Sequence, residues 1–102
     1  MNGFTKTAIL SFHPDIQRVW IRAVRECMAP EAGMSRQVFM QIINWGRTPQ
    51  WLEALENDRV PNIPQKFLEE IFASCRVPDK DVRAAMCSHL IKLLLNKKES
   101  AE

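Results

Sequence analysis

Ser35–Pro61, SRQVFMQIINWGRTPQWLEALENDRVP, is the stretch that decides the fold of this chain. It reads as two short helices separated by a glycine-containing turn. The second helix has a well-marked start: Thr48 is placed to cap the free amides of its first turn, and Pro49 takes the first helical position, where a missing N–H costs nothing. Trp51, Leu52 and Leu55 then form an apolar stripe at helical spacing, leaving Gln50, Glu53, Glu56 and Asn57 for solvent or a ligand. The first helix of the pair, about Arg36 to Ile43, takes Ser35 as its cap and is expected to bury Val38, Phe39, Ile42 and Ile43.

Upstream, PDIQRVWIRAVRECM starts a helix at Pro14. Ile16, Val19, Trp20, Ala23, Val24 and Cys27 lie on one face, with Gln17, Arg18, Arg22, Arg25 and Glu26 largely opposite, and His13 is placed to cap the start. Pro30 and Gly33 break that pattern. The first ten residues show no helical order and read as an arm or packed lead-in. Downstream, NDRVPNIP is a connector, because two prolines and two asparagines do not suit a helix interior. A further helix from about Gln65 to Ser74 buries Phe67, Leu68, Ile71 and Phe72, and Pro78 sets its far boundary. The last helix, about Lys80 to Lys97, has Asp79 available as cap and Lys92, Lys97 and Lys98 toward the negative end of its dipole.

These elements predict an all-α fold in a single helical domain, 1–102: a five-helix bundle with a central two-helix unit at 35–57 and an apolar C-terminal helix at 79–98. Val82, Ala85, Met86, Leu90, Leu93 and Leu94 form one stripe on that last helix, and Ile91 and Leu95 stand beside it. One small domain can hardly cover them all. The apolar surface is either a wide core-facing stripe of a terminal helix or a subunit interface, and on the second reading Met86, Leu90, Ile91, Leu94 and Leu95 are the expected contacts of a homodimer or homotetramer.

The apolar fraction of 46% with 25% charged residues suits a globular protein. No apolar run approaches the roughly 20 residues needed to span a bilayer, and the N-terminal residues lack the apolar segment and cleavage site of a secretory signal, so no membrane partner and a cytoplasmic location are expected. Cys27, Cys75 and Cys87 lack metal-ligand spacing and are expected to be buried, reduced thiols. The net charge of +2 and pI near 8.6 allow a nucleic-acid partner without requiring one. There is no phosphate loop, nucleophile elbow or acid/base pair; Glu69 and Glu70 are adjacent and so diverge on a helix. The expectation is therefore no enzyme activity, no cofactor, no metal and no small-molecule substrate.

The 35–82 region resembles the Cro and phage-repressor type of helix-turn-helix proteins, also called the xenobiotic-response-element type. The likeness rests on Ser35 opening the first helix of the pair, Phe39 four positions on, Thr48 capping the second, then Leu52, Leu55 and Glu56, and Pro61 in the connector. FLEEIFASCRVPDKDV resembles the next two elements of that family, with Phe67, Leu68, Ile71 and Val77 at buried positions. Met40 stands where the family places a small residue, and NWGRT is about two residues longer than its turn, which implies an unusual crossing angle or separation. The layout, ending in an apolar helix and Asn96-Lys97-Lys98, is also similar to the lambdoid-phage lysogeny activators, which assemble through their last helix.

The resemblance implies double-stranded DNA as partner and a sequence-specific transcriptional regulator, related to a phage or mobile element and acting as a homo-oligomer. Gln50, Trp51, Glu53 and Asn57 would face base edges, where Gln and Asn can pair with adenine and Glu with the cytosine amino group. Ser35, Arg36, Gln37, Arg47, Thr48, Arg59 and Lys66 would hold the backbone. Trp20 is expected in the core, whereas Trp45 and Trp51 suit either packing or stacking. The alternative is a small helical protein-interaction adaptor or inhibitor without DNA binding, favoured by the shortage of base-reading cations.

Overall fold

The computed structural model describes residues 5–28, 35–60 and 62–100, with side chains described through Leu95. The described residues form six helices and no strand: α1 Lys6–Ser11, α2 Pro14–Cys27, α3 Arg36–Ile43, α4 Pro49–Glu56, α5 Gln65–Ser74 and α6 Asp79–Ser100. The predicted breaks at Pro30 and Gly33, and Pro61, lie outside the described residues.

The all-α expectation therefore stands, and the segment before Pro14 is a packed lead-in rather than a free arm, but the five-helix count and the expected lack of helical order there are corrected by α1. Thr5 Oγ1 accepts the Ala8 amide at 3.1 Å and caps that helix, and Ile9 is buried at its centre. The six-residue helix is too short for its apolar period to stand out in sequence; tertiary burial sustains it.

The sequence punctuates the longer helices as expected. His13 Nδ1 accepts the Asp15 amide ahead of Pro14, Ser35 Oγ accepts the Val38 amide, and Thr48 Oγ1 accepts the Trp51 amide. The start of α6 differs by one residue: the Pro78 carbonyl accepts the first helical amides, and Asp79 lies inside the helix with its carboxylate 2.6 Å from Arg83 Nε. An acidic residue there still suits the positive end of the helix dipole.

The core joins Trp20, Ile21, Ala23 and Val24 of α2 to Phe39, Met40 and Ile43 of α3 and Leu52 and Leu55 of α4. Ile9 of α1, Phe67, Leu68 and Ile71 of α5, and Val82 and Met86 of α6 complete it. α6 packs most extensively on α2. Val38 and Ile42, expected inside, are exposed, and so is Phe72 at the outer edge of α5. An eight-residue helix has little more than two turns, and α3 spends its buried arc on Phe39, Met40 and Ile43.

The polar side of α2 is also corrected, because Gln17, Arg18 and Arg25 are buried. Each enters the interior with a partner, which offsets its desolvation. Gln17 Nε2 donates to the Ile9 carbonyl at 3.0 Å, tying α1 to α2. Arg18 reaches Asp15 at 3.1 Å, Asp58 at 3.2 Å and the Val60 carbonyl at 2.8 Å, which pins the α4–α5 connector. His89 on α6 lies with Nε2 2.6 Å from Glu26 Oε1 and ties α6 to α2 within the chain.

Candidate functional site

The α3–α4 pair is held from beneath by an ion triad. The side chain of Glu56 is completely buried, contrary to the expectation that it faces solvent or a ligand. Arg25 of α2 donates to it through Nε at 2.9 Å and Nη2 at 3.1 Å, and Nη2 of Arg36 on α3 donates to Oε1 at 3.1 Å. A single carboxylate thus joins three helices, and the two guanidinium groups replace the water it has lost. Arg36 is committed to this triad and is less available as a backbone anchor than its position at the start of α3 implied.

The turn between the helices is closed by Asn44, whose left-handed conformation (φ 58°) ends α3. Asparagine tolerates that region because its short polar side chain bonds locally. The bulky Met40 is accommodated as a buried residue beneath this turn, with the Trp45 amide donating to its carbonyl. The longer turn carries Trp45 back toward α5, where its ring lies 5.3 Å from Phe67. Trp51 meets the same Phe67 edge-on at 5.1 Å. Both tryptophans are packing residues in this chain, so Trp51 is a support of α4 rather than one of its outward-facing groups. The Trp45 indole nitrogen is buried with no hydrogen-bond partner among the described residues.

Arg47 is exposed and lies over the Trp51 ring, 5.8 Å from its centroid. Gln37, Arg47 and Thr48 come together with Gln41 and Asn44 around an open depression of about 400 Å³ between the N-terminal half of α4 and the outer side of α3. Gln41 and Asn44 are not among the residues that the sequence singles out. Gln41 was detectable, since it follows Gln37 by one helical turn.

Along α4, Gln50, Glu53 and Asn57 share the outward side by their spacing, and Gln50 and Asn57 are exposed. Glu53 pairs with Arg59 at 3.3 Å, and the Asn57 side-chain amide donates to the Glu53 carbonyl at 2.9 Å. Ser35 and Thr48 use their hydroxyls as caps. Lys66 is exposed at the start of α5 and makes no ion pair among the described residues. The surface so assembled is polar and carries both signs of charge. Its accessible donors are the Gln37, Gln41 and Gln50 amides and the Arg47 guanidinium, which suits recognition by hydrogen bonds.

Of the residues expected between subunits, Ile91, Leu94 and Leu95 are exposed at 58%, 65% and 56% and Leu90 is half-buried, but Met86 is 6% exposed and belongs to the core. Among the described residues, no group of three or more His, Cys, Asp or Glu is placed to hold a metal ion, and no helix is long and apolar enough to cross a membrane. Comparison with protein-family models, with curated proteins and with solved structures returns no match.

Proposed function

We propose that this chain is a sequence-specific DNA-binding transcriptional regulator of the phage or mobile-element kind, acting in the cytoplasm as a homo-oligomer. The observation that carries the reading is the α3–α4 unit. Two eight-residue helices, each capped at its N-terminus, are fixed to α2 by the buried Glu56 triad, and Gln37 and Gln50 on them, with Arg47 in the turn between, are exposed. α4 would enter the major groove with Gln50, Glu53 and Asn57 toward base edges. Arg47 and the α3 amides would contact phosphate, with Arg59 and Lys66 at the flank. Ile91, Leu94 and Leu95 would join subunits and set the spacing of the two reading helices.

A second reading, a protein-interaction module without DNA binding, is favoured by Val38 and Ile42. They are exposed at 44% and 42%, one turn apart on α3, beside the same polar surface. Binding of the full chain to random duplex DNA at two salt concentrations separates the two. A DNA binder loses affinity steeply as salt rises, because neutralised phosphates release counterions. Absence of binding, or affinity indifferent to salt, gives the surface to a protein partner.

A further inference from the structure

A groove of about 800 Å³ opens on the side of the molecule formed by α1, α2, α5 and the start of α6. Its floor is Ile9, Trp20, Val24 and Val82, all core residues, and its accessible wall is Phe72, an aromatic side chain left 39% exposed. The connector between α5 and α6 supplies the rest of the rim: the half-buried Cys75 and Val77 and the exposed Arg76. Burial pushes the Cys75 thiol up to about 11, so it is a neutral, weakly polar wall at physiological pH.

The charges at the mouth are unbalanced. Asp79 is neutralised by Arg83 at 2.6 Å, whereas Arg76 is exposed and has no ion-pair or hydrogen-bond partner among the described residues. An apolar trough of this volume falls in the range of small-molecule sites, and a guanidinium at its rim selects a planar anion. We infer that this groove binds a small amphiphilic carboxylate, its aliphatic or aromatic tail against Phe72, Trp20 and Val82 and its carboxylate on Arg76. The site is separate from the α3–α4 surface and does not rest on the DNA reading. Val82 and Asp79 belong to α6, so the occupant touches the helix whose far end carries Ile91, Leu94 and Leu95.

Decanoate, below its micelle concentration, is the probe, with decanol as its uncharged counterpart. Each is titrated into the full-length chain by calorimetry and by amide chemical shifts, in the absence of DNA. Decanoate is expected to saturate at one per chain, with the largest shifts at residues 72–82 and 20–24. Arg76→Gln, a change at an exposed side chain, is expected to weaken decanoate about tenfold while leaving decanol unchanged. Phe72→Ser weakens both. Unsaturable binding, shifts centred on Ile91, Leu94 and Leu95, or decanoate affinity indifferent to Arg76→Gln would each overturn the proposal. So would groove shifts that grow with protein concentration alone, because a second copy of the chain would then be the occupant.

Discussion

Arg25 and Glu56, 31 residues apart in sequence, meet side-on through two hydrogen bonds of 2.9 and 3.1 Å, with the Glu56 side chain wholly inside the protein. Arg36 shares the same carboxylate. Removing the centre of such a triad is costlier than removing its more exposed arm. Glu56→Ala is expected to lower unfolding free energy by about 3 kcal/mol, because it leaves the buried Arg25 without a counter-charge. Arg36→Ala should cost roughly 1 kcal/mol, since the Arg25 pair survives. Urea denaturation of both variants checks the order, and an equal loss from Arg36→Ala would show that the Arg25–Glu56 pair does not hold without Arg36.

Trp45→Phe is expected to be neutral or stabilising by up to about 1 kcal/mol. The substitution removes a buried indole N–H that lacks a partner among the described residues while keeping an aromatic ring beside Phe67. A clear loss of thermal stability would show that the indole volume outweighs its unsatisfied donor.

Arg47→Ala and Gln50→Ala should separate affinity from sequence preference. Losing Arg47 should weaken binding by a similar factor on all sequences and lower the salt slope by about one. Losing Gln50 should cost roughly 1–3 kcal/mol at one base pair with little effect on non-specific binding. Quantitative binding to a selected site and to scrambled duplexes reads both, and an unchanged motif for Gln50→Ala moves base reading elsewhere.

Leu94→Glu places a charge on a side chain that is 65% exposed, so the fold should persist. Light scattering is expected to report a smaller species than the unsubstituted chain, with helicity retained by circular dichroism. A parent protein that remains monomeric at high concentration would remove the subunit contact from the mechanism.

The cysteines should differ in reactivity. Burial raises the pKa of the Cys27 and Cys75 thiols, whereas Cys87, expected to be buried, is exposed on α6. Iodoacetamide at neutral pH should modify Cys87 first, because only the thiolate attacks and burial keeps Cys75 protonated. Cys75 labelling should keep accelerating as pH approaches about 11, which mass spectrometry of timed samples would follow.

Helix punctuation was legible because it is local. Ser35, Thr48-Pro49 and His13-Pro14 each declare a start within four residues, and α3, α4 and α5 begin and end where the residues imply. What sequence reading missed depends on distant partners. Arg18 and Arg25 read as solvent-facing because nothing near them shows that Val60, Asp58 or Glu56 will meet them. Glu56 was placed outward for the same reason. Val38 and Ile42 were misplaced because a short helix offers too few turns for its apolar side to be unambiguous. At the candidate site, the exposure of Gln37, Arg47 and Gln50 follows from their positions, whereas the packing of Trp51 depends on Phe67.

Two of the three tryptophans share one phenylalanine, and the third is in the core on α2. The near-ultraviolet signal of this chain is therefore concentrated at the seam where α5 meets the α3–α4 turn. A shift of α5 away from that turn would change the emission of Trp45 and Trp51 together while sparing Trp20. Replacing Trp20 with phenylalanine would make the protein's own fluorescence an optical gauge of that seam, without an attached dye.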